Sequence, residues 1–404
     1  MEYLEKDSRK DWGLCLLILL FIFSPILSTQ ADAHPGALYV VAITIPTFII
    51  AFRKGLIKIS KKSQYAYILF FFFFISTGLS NIATFRVGTF MKELVLTLFY
   101  VSICLYVIPP RQLKFALKAY FLLCIIIAIL IVLSFIFGYP HIENNLSIGR
   151  YSIGITGVFK NPNYLTSFYN VSFFIIFYIW ALVKQHLHQR IILFAILALF
   201  ILASFLSGTR AALLVEILII ISVPILFIRK KNIVQIISLG IIVFFLVWNY
   251  YDDIDSAFSI FLGGRDALSD DSRSDAWKIA FNYIQNKPLF GCGSHAWDNI
   301  VRGSSDLEFL HNVFLELFLE QGLIGLVLFS VLLFSGYSRT NLMDRKFILL
   351  FLLFSAIPLC FQNGLREVNV WRFIVINRLI MNISSAYEGG ICAFLENLYS
   401  KNRT

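Results

Sequence analysis

Twelve apolar runs recur along the chain, at about residues 12–28, 37–52, 65–80, 90–108, 115–138, 164–183, 191–207, 211–228, 233–250, 309–336, 347–361 and 371–386. A helix crosses a bilayer with about 17 to 25 apolar residues, so each run can serve as one span. A membrane barrel would need alternating segments of about ten residues instead, and no such alternation is present. With 58% hydrophobic and only 14% charged residues, the chain also lies well outside the range of soluble globular proteins. The expected fold is an all-α polytopic membrane protein with about twelve transmembrane helices.

Basic residues test that count independently. With the N-terminus inside, the even-numbered connections carry Arg53, Lys54, Lys58, Lys61 and Lys62, then Arg111, Lys114 and Lys118, then Lys184 and Arg190, then Arg229, Lys230 and Lys231, then Arg339, Arg345 and Lys346. Lys6, Arg9, Lys10, Lys401 and Arg403 fall on the same side, so most of the 34 Lys and Arg lie in short cytoplasmic segments, as the positive-inside rule requires. Both termini are then cytoplasmic. The net charge of +10 mostly reflects this bias and is no argument for a nucleic-acid partner. The expected organisation is a membrane domain at 1–250 with spans 1 to 9, a large periplasmic loop at 251–308 with short helices, a membrane domain at 309–386 with spans 10 to 12, and a cytoplasmic tail at 387–404.

The start of the chain imitates a signal peptide, with Lys6 to Lys10, an apolar run after Trp12 and the triplet Ala31-Asp32-Ala33. Its apolar core is long for that role, and it is read here as the first span. Cys15, Cys104, Cys124 and Cys360 sit in apolar runs, Cys392 in the tail, and Cys292 alone in the outer loop. No intrachain disulfide is therefore expected to brace the loop, and no Cys/His spacing suggests zinc.

Polar residues at membrane depth are expensive and usually functional. In the stretch EFLHNVFLELFLEQGLIG at 308–325, the pair His311-Asn312 caps the start of an apolar run. On a regular helix Leu315, Phe318, Gly322 and Gly325 fall within about 40° of His311, giving one smooth face with an imidazole at its rim. Asn161-Pro162-Asn163 reads as a turn and helix start. The turn Ser207-Gly208-Thr209-Arg210 joins two apolar runs, which forces Arg210 to the membrane surface or into the bundle. In the loop, Trp277, Ile279, Ala280 and Tyr283 show helical periodicity over 274–286 before Pro288 and Gly291 stop it; the pattern suits an amphipathic helix on the membrane surface. Asp253 and Asp255 read as a solvated turn rather than a metal–nucleotide motif. Arg366, Trp371 and Arg372 mark the last outer connection, and the deeper Arg378 calls for a partner such as Glu316, Glu320 or a bound anion.

Four of these pieces together resemble the O-antigen ligase and O-antigen polymerase superfamily of bacterial inner-membrane glycosyltransferases. They are Gly157-Val158-Phe159-Lys160-Asn161-Pro162-Asn163; Ser207-Gly208-Thr209-Arg210; Arg273 through Trp277 to Pro288-Leu289-Phe290-Gly291-Cys292-Gly293; and His311-Asn312 followed after nine residues by Gly322-Leu323-Ile324-Gly325. Each is weak alone; their order and their common outer placement make the set specific. The last pattern is associated with the ligases, although polymerases share much of it.

The resemblance implies an undecaprenyl-diphosphate-linked glycan donor and a sugar hydroxyl acceptor, on lipid A core for a ligase or on another lipid-linked unit for a polymerase. It further implies an inverting, metal-independent transfer that uses no cofactor, at the periplasmic face of the inner membrane. A lipid diphosphate leaving group without a metal needs guanidiniums, for which Arg210 and Arg273 are the first candidates and Arg265 and Arg372 the next. His311 suits the acceptor's general base. Glu308 stands one turn earlier to orient it, and Asn163 and Asn312 bind sugar or position neighbours. A lipid-linked glycan transporter is a third reading, less favoured because charges deep in the spans are few: Glu216, Glu316, Glu320 and Arg378.

Overall fold

The computed structural model describes residues 110–137, 162–183, 186–207, 209–227, 271–293, 296–300, 310, 312–334, 342–361 and 390–399, with isolated positions before residue 80. Regular elements among them are all helical: α1 (Pro110–Ile136), α2 (Pro162–Leu182), α3 (Leu187–Leu206), α4 (Arg210–Phe227), α5 (Asp271–Asn286), α6 (Ala296–Ile300), α7 (Val313–Phe334), α8 (Leu342–Ala356) with a 3₁₀ continuation at Ile357–Phe361, and α9 (Gly390–Tyr399). The expected spans at 115–138, 164–183, 191–207, 211–228, 309–336 and 347–361 all fall on these helices. The spans expected before 109 and those at 233–250 and 371–386 lie outside the described residues, isolated positions apart. Three stretches are long and apolar enough to cross a membrane: Leu117–Ile136, Leu187–Leu206 and Val313–Ser330.

The chain divides into two units, residues 1–120 with 271–394 and residues 121–270 with 395–404. In the second, α2, α3 and α4 pack on one another. Pro162 opens α2, where its fixed φ suits the first helical position and its missing N–H costs nothing. Phe173, Phe174, Tyr178 and Phe200 are fully buried, and Tyr169 stacks on Phe200 with ring centroids 5.2 Å apart. In lipid such close aromatic packing, rather than escape from water, holds helices together. The α1 face bearing Phe121, Cys124, Ala128 and Ile131 is buried, whereas Leu122, Ile126, Ile129 and Leu133 are exposed, which gives α1 one packed and one open side. Ser172 Oγ donates to Cys124 Sγ at 3.1 Å and ties α1 to α2. At the end of the α2–α3 hairpin the Arg190 guanidinium lies over the Trp180 ring, 5.2 Å from its centroid, as suits a residue anchored at a membrane surface.

In the first unit, α5 and α6 pack against α7. The expected helix at 274–286 is present and begins three residues earlier. Ala276, Ala280 and Ile284 are buried with Leu315 and Leu319 of α7, Leu310, and Ala296 and Trp297 of α6. Alanines at 276 and 280 let the α7 backbone approach and protein covers this face, while Phe281 and Tyr283 stay exposed on the other. In the tail segment, Ile391 N–H at the head of α9 donates to Asp344 Oδ2 at 3.0 Å, satisfying one of the unpaired donors of that helix start.

Candidate functional site

The first part of the candidate site is the turn between α3 and α4. Ser207, at the end of α3, donates its hydroxyl to Ser204 O at 2.8 Å and lies 2.7 Å from Thr209 Oγ1. Thr209 N–H returns to Ser204 O at 3.3 Å, while Thr209 O accepts from Ala212 N and Leu213 N at 3.1 and 3.2 Å. Thr209 thereby caps α4, and Arg210 is the first residue of that helix. Below the turn, Ser204 Oγ donates to Glu216 Oε1 at 2.6 Å and meets Tyr169 OH at 2.8 Å. Ser204, Ser207, Thr209 and Glu216 are all buried. Among the described residues, Glu216 Oε2 has no hydrogen-bond partner.

A separate candidate region, in the other unit, is built by α5, the loop after it, and α7. Asn312 caps α7: its Oδ1 accepts from Leu315 N at 3.0 Å and its carbonyl from Glu316 N at 2.9 Å. Leu310, on the other side of His311, accepts a hydrogen bond from Trp277 Nε1 at 3.0 Å. The two chain neighbours of His311 are therefore both pinned, one by α5 and one by the head of α7. Arg273 stands one turn before Trp277, on the α5 register that also carries Ala280 and Ile284.

α7 is broken at Gly322, where φ is 69° and ψ is −168°. The smooth continuous face expected for His311, Leu315, Phe318, Gly322 and Gly325 is therefore corrected: the helical register does not carry through residue 322. The break leaves carbonyls above it and amides below it without intrahelical partners, and the loop after α5 supplies them. Cys292 N donates to Leu319 O at 2.7 Å and Gly293 N to Glu320 O at 2.8 Å, while Leu323 N donates to Pro288 O at 2.8 Å and Ile324 N to Leu289 O at 3.3 Å. Gly291, at φ +71°, is the matching residue in the loop: a β-carbon there would lie 2.6 Å from Gln321 N. The segment 288–293 thus clamps both halves of α7 and fixes α5 to it. Burial pushes the Cys292 thiol up from its ordinary value, with Lys287 nearby acting in the opposite sense.

Of the residues expected at the site, Asn312 is fully described, and its carboxamide oxygen is engaged as a cap. Arg210, Arg273 and Asn163 are placed on α4, α5 and α2, with their side chains outside the described residues; His311, Arg265, Arg372 and Glu308 lie outside them altogether. The Tyr169–Ser204–Glu216 chain and the 288–293 clamp were not foreseen. An acid six residues into an otherwise apolar run was the visible signal for the first. For the second it was the pairing of two glycine clusters, Gly291/Gly293 and Gly322/Gly325.

Residues 194–330 match the family described as O-antigen ligase. The match covers 137 of the chain's 404 residues and supports the resemblance to the O-antigen ligase and polymerase superfamily. The matched stretch encloses α4 with the turn before it, α5 with the clamp, the sequence pair His311-Asn312 and most of α7; the Gly157 to Asn163 motif precedes it. No curated protein matches the chain. Three helices long and apolar enough to cross a membrane agree with the match in pointing to a membrane protein.

Proposed function

We propose that this protein transfers O-antigen polysaccharide from undecaprenyl diphosphate to a sugar hydroxyl of lipid A core, at the periplasmic face of the bacterial inner membrane. The observation that carries the reading is the family match, which spans three of the four outer motifs that hold its candidate arginines and histidine. The pinning of Leu310 by Trp277 supports it, because it brings the helix of Arg273 to the residue beside His311.

In this reading the acceptor O–H gives its proton to His311 as its oxygen attacks the anomeric carbon from the face opposite the lipid diphosphate. The bond from that carbon to the diphosphate oxygen breaks, the configuration inverts, and undecaprenyl diphosphate leaves with the bonding electrons. Arg210 and Arg273 neutralise the charge that develops on the leaving group, through paired N–H donors suited to phosphate oxygens. Arg265 and Arg372 hold the outer oxygens of the donor, Glu308 orients the imidazole, and Asn163 and Asn312 contact sugar or fix neighbours.

The lipopolysaccharide of a deletion strain tests the assignment. A ligase predicts bare core with lipid-linked glycan accumulating, restored by the wild-type gene. Core bearing a single repeat unit would instead establish the polymerase, which joins lipid-linked units by the same displacement. Bare core with the lipid-linked donor trapped on the cytoplasmic side would instead identify a transporter.

A further inference from the structure

We propose that the buried chain Tyr169–Ser204–Glu216 is a positioning device for Arg210, an inference that rests on the transfer reading above. Its direction follows from counting hydroxyl protons, of which each Ser, Thr or Tyr has one. Ser204 spends its proton on Glu216 Oε1 at 2.6 Å, so the 2.8 Å contact with Tyr169 is donated by the tyrosine. Ser207 directs its proton to Ser204 O, so Thr209 donates to Ser207 Oγ. Ser204 is thus the hub of both networks. Its side chain is held by α2 and by Glu216, and its carbonyl by the Ser207–Thr209 turn.

The consequence is a two-point attachment of α4 to the end of α3. Thr209 N–H binds Ser204 O at the head of α4. Glu216, seven residues on and within about 20° of the same helical face, binds Ser204 Oγ roughly two turns lower. One attachment would let α4 rotate about its own axis; two fix that rotation and with it the direction in which residue 210 leaves the turn. Ala212, Ile219 and Val223 continue the same buried face, so the packing agrees with the polar contacts.

Stability alone does not account for an acid here. Glu216 is 1% exposed within an apolar helix, and one of its oxygens has no partner among the described residues. Burying such a group is unfavourable, and an apolar side chain of similar volume would pack the position at lower cost. What the carboxyl adds is a directional acceptor for Ser204.

The test uses full-length protein in proteoliposomes with lipid-linked glycan donor and core acceptor. Rates are expressed per folded molecule, with folding followed by thermal melting. Glu216→Leu and Ser204→Ala are expected to lower kcat about tenfold or more while KM for the donor shifts by less than about threefold. Glu216→Gln, whose amide oxygen still accepts the Ser204 proton, is expected to stay within about threefold of wild type. In an Arg210→Lys background, Glu216→Leu is expected to cause no further loss, because both changes act on one guanidinium. Wild-type kcat in both Glu216→Leu and Ser204→Ala would overturn the proposal, as would a full additive loss on Arg210→Lys or equal losses for the Gln and Leu variants. If Glu216→Leu does not fold, Ser204→Ala, which removes one hydroxyl, decides alone. Absence of transfer by the wild type would instead refute the functional reading, and this inference with it.

Discussion

Gly322 in α7 and Leu289 in the loop after α5 meet backbone to backbone, and a β-carbon on Gly322 would fall inside the Leu289 carbonyl group. The contact is the centre of a reciprocal clamp in which a broken helix and an inserted loop satisfy each other's peptide groups. It fixes the separation of α5, which carries Arg273, from α7, which His311 precedes in the sequence. Gly322 of the last motif is therefore required by backbone geometry, and its effect on the site is indirect.

Gly322→Ala should destabilise the protein by about 3 kcal/mol or more, combining left-handed backbone strain with a clash that no side chain can relieve. Gly291→Ala should do the same from the loop side, since its β-carbon meets the Glu320–Gln321 peptide. Thermal melting of the detergent-purified variants gives the answer. Midpoints indistinguishable from wild type would mean that the clamp does not hold the two segments together.

Trp277→Phe keeps the ring in the core but removes the donor to Leu310 O. A loss of about 1–2 kcal/mol is expected from the unsatisfied carbonyl, along with a reduced transfer rate, because the residue before His311 is released. The check is melting and transfer on the same preparation. An unchanged rate in a destabilised protein would show that the bond serves folding only.

Much of the helical architecture was legible because each span repeats one signal, an apolar run bounded by basic residues. Pro162, the start of α2, and Asn312, the cap of α7, were readable for a local reason: their chemistry satisfies helix ends within one turn of sequence. The break at Gly322 was not readable, because a glycine within an apolar run is compatible with a straight helix. It becomes a break only when Leu289, thirty-three residues earlier, occupies the space. The same holds for α5, whose stripe suits lipid and protein equally until Leu315 and Leu319 are placed against it. Likewise Glu216 was visible as an acid out of place, while Ser204 and Tyr169 are ordinary residues until folding gathers them.

Asn312 offers a separation of roles. As a cap it is replaceable by Asp, which keeps the acceptor for Leu315 N, whereas Asn312→Ala should cost about 1 kcal/mol. If Asn312 also donates to the substrate through its amide, Asn312→Asp will melt like wild type yet transfer poorly. Transfer at the wild-type rate by the Asp variant would limit its role to capping.

Cys292 reports on both topology and environment. In a variant that retains this cysteine alone, a membrane-impermeant maleimide should label intact spheroplasts, as the periplasmic placement of the loop requires. Because burial raises the thiol pKa, the reactive thiolate is scarce at neutral pH. Labelling should be slower than for an exposed cysteine and should accelerate as the medium is made alkaline. Labelling that appears only after permeabilisation would put the loop on the other side of the membrane.

The account stands on His311 as the base that takes the acceptor proton, with guanidiniums holding the departing diphosphate. The most direct measurement is the transfer rate of purified His311→Ala in proteoliposomes supplied with lipid-linked donor and core acceptor, beside the wild type. The prediction is a fall of about a hundredfold or more at unchanged melting temperature. A folded His311→Ala protein that transfers glycan at the wild-type rate would contradict it.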